Sequence, residues 1–408
     1  MLEVVKINTS ELQMGMYVSA LDRPWLEVPF PMQGFRVDTP DDIKQLQRYC
    51  QHVYIDTVKS AEQVPGNRHR PQRQRLSVQQ IFKGRRLKTY QDRSSWTEEY
   101  PRAKAAVDEL AATVDTIFAQ VSTGGALDVV KVKKSVDPMI DSISRNPDAC
   151  IWLARMKQQD SYTYQHSVGA SIWAVALGRQ LGLPRPDLRS LAIGGLLFDV
   201  GKLGVPGELL NATRKLSDEE FAQVRSHVNR GMVMVEQSGL MNRDVLDMVA
   251  HHHERHDGSG YPQGLAGDAI PVYARIAAIV DCYDAITSHR SYARAIPPSV
   301  AIKMLYEWRD IEFQAELVEE FIQAVGIYPA GTLVELSSGE VAVVVAEYRT
   351  RRLRPRVMVL LDADKQPQAD LKMIDMLTQV TTDDGQPLDI VSSLEPEAYG
   401  IDMAAIKL

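Results

Sequence analysis

Cysteine is rare in this chain: the three copies among 408 residues, Cys50, Cys150 and Cys282, are widely spaced and odd in number. Neither a disulfide framework nor a thiolate zinc site is therefore implied. No apolar run approaches the ~20 residues of a membrane span, and Met1 to Ser10 alternates apolar and polar residues without a secretory core. A cytoplasmic protein is expected. Excess positive charge is missing too: 46 Lys and Arg against 53 Asp and Glu leave a net charge of -7. A nucleic-acid polymer is a poor partner for such a chain, because that surface needs clustered basic charge. Histidine is also scarce, and its nine copies are unevenly spread. Four fall in His251-His252-His253-Glu254-Arg255-His256, directly ahead of Asp257-Gly258-Ser259-Gly260-Tyr261-Pro262. The rest, 45% hydrophobic and 24% charged, reads as globular, with room for two or three domains.

In chain order, residues 1–59 read as a small mixed α/β domain. Strands are expected at Leu2 to Ile7, Gly15 to Val18 and Val53 to Ile55, and Thr39-Pro40-Asp41 opens a helix to about Tyr49. Arg23 to Phe30 is an irregular segment bearing Trp25 and Phe30, read as core. Residues 60–100 follow as a basic linker, expected to be solvated: Arg68, Arg70, Arg73, Arg75, Lys83, Arg85, Arg86 and Lys88 lie in the stretch 68–88, which has no acidic residue and few core formers. Helical periodicity then governs 101–325, with helices expected over Lys104 to Gln120, Val129 to Ile143, Ser161 to Leu181, Leu188 to Leu197, Ser217 to Gln237, Asp244 to Ala250 and Pro271 to Ser288. Residues 326–408 form a β-rich extension, with strands at Thr332 to Leu336, Val341 to Glu347 and Val357 to Leu361. Its arginines from Arg349 to Arg356 are read as a solvated loop. The fold class is α+β multidomain: a small mixed N-terminal domain, an all-helical bundle and a β-rich C-terminal extension.

Ligand chemistry gathers in the helical part. Neutral imidazole is the commonest metal ligand, and an adjacent pair, His252 and His253, sits where a helix frays into a Gly-Ser-Gly turn. Asp199 closes an apolar helix, where a buried carboxylate needs a partner such as an ion or Lys202. Asp281 and Asp284 pose the same question. With His166 and His227 there are six nitrogen and oxygen candidates, His166, Asp199, His227, His252, His253 and Asp281. That inventory suits iron, manganese or zinc in a helical bundle, with a bridging carboxylate if two ions bind.

His166-Ser167, Asp199-Val200-Gly201-Lys202, His227, His252-His253-Glu254-Arg255, Asp257-Gly258-Ser259-Gly260-Tyr261-Pro262, Asp281-Cys282-Tyr283-Asp284-Ala285 and Ser291-Tyr292, in this order, resemble the HD-GYP family. That family forms an all-helical HD-domain bundle whose members hydrolyse the bacterial second messenger cyclic di-GMP. Gly15-Met16-Tyr17-Val18 through Gln33-Gly34-Phe35 also resembles an uncharacterised domain often found ahead of such bundles. The resemblance implies two divalent ions, iron or manganese, bridged by Asp199. His227, His252 and His253 would complete one sphere, and His166 and Asp281 would serve the other. It further implies Lys202 over the scissile phosphate, Arg290 on the phosphodiester, and Gly260, Tyr261 and Pro262 as the pocket wall. The products would be the linear dinucleotide and GMP.

The family's histidine-aspartate pair is here Phe198-Asp199, so one ion loses an imidazole. Three readings follow, in order of preference: a slow phosphodiesterase, a cyclic di-GMP receptor without turnover, or a scaffold for partners. Tyr162 stands where some members place an acidic ligand for a third ion, so two ions are the ceiling. His256 replaces a usual tryptophan and reads as a surface residue. Protein partners through the N-terminal domain or the Gly260-Tyr261-Pro262 loop, and homodimerisation, stay open.

Overall fold

Two units make up the chain, residues 1–75 and 76–408. The computed structural model describes residues 4–21, 35–56, 60, 75–156, 162–214, 216–288, 295–349, 351–368, 372–382, 384–403 and 406.

In the first unit the alternating residues pair as an antiparallel sheet. Its elements are β1 (Val4–Asn8), β2 (Tyr17–Leu21), β3 (Phe35–Arg36), α1 (Pro40–Tyr49) and β4 (His52–Asp56), with sheet order β1-β4-β2-β3. Helix α1 starts where expected because Thr39 and Asp42 cap each other's backbone N–H groups, at 3.2 and 2.8 Å. Val18, Val37, Leu46, Val53 and Ile55 form its core. The Arg23 to Phe30 segment lies outside the described residues.

The second unit holds α2 (Val78–Ile81), α3 (Trp96–Ser122), α4 (Val129–Arg145), α5 (Asp148–Arg155), α6 (Tyr162–Gln180), α7 (Arg185–Leu197), α8 (Gly207–Leu210), α9 (Asp218–Arg225), α10 (His227–Gln237), α11 (Arg243–His251), α12 (Val272–Thr287), α13 (Pro298–Glu307) and α14 (Ala315–Val325). A five-stranded antiparallel sheet follows, built from β5 (Leu333–Leu336), β6 (Val341–Ala346), β7 (Arg356–Leu361), β8 (Met373–Asp375) and β9 (Ile390–Ser393) in the order β8-β7-β6-β5-β9. The protein is thus an α+β multidomain chain. Helices α6 and α12 are apolar on most faces and are buried accordingly, with Trp173 on α6 meeting Tyr283 on α12 edge-on at 5.1 Å. No helix among the described residues is long and apolar enough to cross a membrane.

Three expectations need correction. The single helix expected over 217–237 is two, α9 and α10, parted at Ser226. The linker is not solvated from Leu76 onward: Leu76 N donates to Glu316 at 2.9 Å, and Arg85 pairs with Asp187 and Asp244, each at 2.9 Å. Basic composition shows a want of apolar side chains but cannot show acceptors waiting on distant helices. The Arg349 loop is not solvated either. Arg349 donates to Asp148 on α5 at 3.1 Å and to the Ala324 carbonyl at 3.2 Å, and Arg352 donates to buried Glu347 at 3.0 Å.

Candidate metal centre

Five local features bring the polar residues together. Helix α7 ends at Leu197, and Asp199 follows at the head of a short 3-10 turn, Val200–Gly204. A methyl group at Gly201 would lie 1.9 Å from the His227 carbonyl oxygen, so glycine alone lets this turn press against α10. The break at Ser226 makes His227 the first residue of α10. Helix α11 ends at His251, which leaves His252 and His253 in the following turn with ring centres 4.1 Å apart. Finally, buried Glu254 accepts the N–H groups of Gln263 and Leu265, at 2.8 and 2.9 Å, and so holds the loop carrying Tyr261.

The proton positions follow from the acceptors. A main-chain carbonyl only accepts, so His227 Nδ1 donates to Val224 O at 2.7 Å, and His252 Nδ1 donates to Val249 O at 3.1 Å. With Nδ1 so engaged, each ring turns Nε2 inward as the free ligand position, and the two lie 3.4 Å apart. His253 Nε2 is 3.2 Å from His227 Nε2. Asp199 Oδ1 lies 3.3 Å from His227 Nε2 and 3.5 Å from His252 Nε2, is buried, and accepts no hydrogen bond. Lone pairs facing one another in a dry interior need a cation between them. Asp199, His227, His252 and His253 therefore fit a divalent ion by donor type and convergence.

A second group shares Asp199. His166 Nε2 is 3.1 Å from Asp281 Oδ1 and 3.4 Å from Asp199 Oδ2. Its Nδ1 donates to Asp284 Oδ2 at 2.7 Å, while Asp284 Oδ1 accepts the Trp173 indole N–H at 2.8 Å. That carboxylate fixes the ring and its tautomer, the usual support behind a metal-ligating imidazole. The sequence marks Asp284 as the i+3 companion of Asp281 but carries no sign of its contact with His166, 118 residues away.

Burial and neighbouring charge set the protonation of both groups. Burial opposes the charge on His166, yet Asp199, Asp281 and Asp284 outweigh it and push its pKa up to about 10. A proton on His166 thus occupies the place a cation would take. Burial also opposes the charge on Asp199, but Lys202 and the His166 ring hold its carboxyl well below the usual carboxylate range. Burial lowers both His252 and His253, keeping them in the neutral form that ligates. Lys202 donates from Nζ to Asp199 Oδ2.

All six expected ligands are therefore gathered, with Lys202 beside them and Tyr261 stacked on His253 at 4.6 Å. Gly260 packs where a methyl group would come within 2.5 Å of His253 O, and Pro262 follows in the same loop. Arg290 lies outside the described residues. His256 belongs to neither ligand group; its N–H donates to Glu312 O at 2.9 Å. Phe198 is fully buried between the two groups, stacked on His252 at 4.8 Å and edge-on to His166 at 5.8 Å.

Comparison with known proteins gives three family matches along the chain. Residues 139–317 match an HD domain, 4–132 a domain of unknown function (DUF3391), and 333–383 a KOW domain associated with HD domain. The chain is 35% identical over 374 residues to a cyclic di-GMP phosphodiesterase of Pseudomonas aeruginosa, covering 91% of this chain and 88% of that one. It is 37% identical over 150 residues to a cyclic di-GMP phosphodiesterase response regulator of Xanthomonas campestris, covering 36% of this chain and 39% of that one. It is also 36% identical over 134 residues to a 3′3′-cGAMP-specific phosphodiesterase of Vibrio cholerae, covering 33% of this chain and 31% of that one.

Proposed function

The chain belongs to the HD-GYP family, and on that premise we propose that it is a metal-dependent phosphodiesterase that hydrolyses cyclic di-GMP to the linear dinucleotide and GMP. The observation that carries the reading is the convergence of bare imidazole nitrogens on a buried carboxylate oxygen that accepts no hydrogen bond. A bound cation reconciles that arrangement with burial.

In this reading His227, His252 and His253 would hold one ion, His166 and Asp281 the other, and Asp199 would serve both. Two divalent ions, iron or manganese, would supply acidified water and offset the charge that grows on the phosphoryl oxygens. The chain's own residues do the rest. Asp284 keeps the His166 lone pair aimed inward. Lys202 turns the Asp199 carboxylate and brings a further positive charge to the phosphate side. Gly260, Tyr261 and Pro262 wall the pocket beside His253, and Arg290 is assigned to the phosphodiester. Phe198 offers no lone pair, so the second ion would have three protein ligands rather than four, and turnover would be slow. A second messenger is an intracellular solute, so the reading includes a cytoplasmic location.

The test is metal content of anaerobically purified protein, counted by mass spectrometry, alongside a cyclic di-GMP hydrolysis assay with wild type and Asp199→Ala. Near two ions per chain and a product that disappears with Asp199→Ala are expected. Intact ligand, bound without turnover by wild type at one ion or none, would make the protein a receptor instead.

A further inference from the structure

Helix α9 buries none of its residues, yet carries an aromatic ring on its surface: Phe221 is 43% exposed. Arg225, four residues on and so on the same face, lays its guanidinium over that ring with Cζ 4.4 Å from its centre. The same Cζ lies 4.6 Å from the centre of the Tyr261 ring, and Tyr261 in turn stacks on His253 at 4.6 Å. A continuous stack therefore runs from the surface of α9 to an imidazole of the metal centre.

Neighbouring arginines are spoken for by acceptors. Arg214 pairs with Glu220 at 2.6 Å, and Arg230 donates to Gly204 O at 2.7 Å. Arg225 has no such partner among the described residues; its contacts are the two rings. Stacking on rings occupies the guanidinium's face and leaves its in-plane N–H donors open, the geometry that grips a two-acceptor edge.

We infer that Arg225 reads the guanine base of the nucleotide whose phosphate lies at the metal centre, an inference that rests on the phosphodiesterase reading above. Guanine presents O6 and N7 side by side as acceptors, the commonest specific target of arginine, whereas adenine presents an amino donor at the first of these positions. The position suits a base rather than the scissile phosphate. Arg225 stands two ring spacings from His253, the reach of a ribose, and positive charge for the phosphate is already supplied beside Asp199 by Lys202.

The experiment measures binding of phosphorothioate forms of cyclic di-GMP and cyclic di-AMP, which resist hydrolysis, to the full-length metal-loaded wild type, Arg225→Ala and Arg225→Gln. Arg225→Ala is expected to weaken cyclic di-GMP roughly tenfold to hundredfold and to leave cyclic di-AMP within about twofold. Arg225→Gln is expected to shift preference toward adenine, whose N6 and N7 suit an amide. Equal losses for both ligands would assign Arg225 to phosphate or ribose and overturn the inference, as would no loss at all. Wild type that binds with this pattern but leaves unmodified cyclic di-GMP intact in a parallel hydrolysis assay would sink the phosphodiesterase reading and keep Arg225 as the guanine reader. Wild type that binds neither ligand would sink both.

Discussion

Phe198 and His252 lie ring on ring, with centres 4.8 Å apart and planes 27° apart. The phenyl group fills, without a lone pair, the gap between the two ligand groups, and its other edge faces His166. It packs against the His252 ring and offers no nitrogen to the group of His166, Asp199 and Asp281.

Restoring that nitrogen gives the first prediction. Phe198→His puts a polar ring into a dry site, so the metal-free variant should be less stable, by about 1–3 kcal/mol. Loaded with metal, it should hold its second ion at least tenfold more tightly, since even changes behind the ligands are worth that much. Ions retained per chain during stepwise chelator dialysis, with turnover followed in parallel, measure both effects. An unchanged ion count would show that the second site is not limited by Phe198.

Asp284 is expected to act through His166 alone. Asp284→Asn turns one of two acceptors into a donor, which must then face either the His166 Nδ1–H or the Trp173 indole N–H. Metal affinity should fall about tenfold to hundredfold. Excess metal should restore most of the turnover, because no group that touches substrate has been removed. A variant whose activity stays lost at saturating metal would contradict this role.

The residues that converge were legible in the sequence because scarcity made histidine conspicuous and because carboxylates ending apolar helices cannot be bland. What was not legible depends on partners far along the chain. Asp284 meets His166 across 118 residues, and Arg349 meets Asp148 across 201. Periodicity reports which face of a helix is apolar, not which acceptor a polar side chain will meet. The Ser226 break carries no glycine or proline, so the pattern through 217–237 reads as one helix. In the N-terminal unit, by contrast, a capping residue followed by proline marks α1 locally, and its start was legible to the residue.

The acidity of His166 sets a pH dependence with a definite sign. Its pKa is pushed up to about 10 in the folded chain against 6.5 in an open one. In metal-free protein its protonated form therefore adds stability that is fully present below pH 6.5 and lost as pH rises through 10. Asp199 and Asp281 are shifted the other way, so their contribution is present above the ordinary carboxylate value and lost in acid. The melting temperature of metal-free protein should fall between pH 6.5 and 10. A bound ion displaces the His166 proton, so metal-loaded protein should not show that fall, and loading at pH 8 should release about one proton per chain from this site. Melting curves across this range and calorimetry in buffers of different ionisation enthalpy test both statements; a flat melting profile without metal would refute the first.

Gly201 offers a way to separate the two ligand groups by geometry rather than chemistry. A methyl group there would meet His227 O at 1.9 Å and Gly231 N at 2.5 Å, both backbone atoms of α10 that cannot swing aside. Gly201→Ala must therefore push α10 from the Val200–Gly204 turn. Asp199 stands just before that turn and His227 heads α10, so the 3.3 Å separation between them has to widen. The His166, Asp281 and Asp199 group uses no atom of α10. Overpacking of this kind costs about 1–3 kcal/mol, so the variant should fold with unchanged helix content, a lower melting temperature and about one ion fewer. Gly231→Ala is the control, because a methyl group there comes no closer than 3.3 Å to its nearest neighbour and can be taken up by a small shift. If Gly201→Ala kept both ions, the approach of the turn to α10 would not be what sets the metal centre.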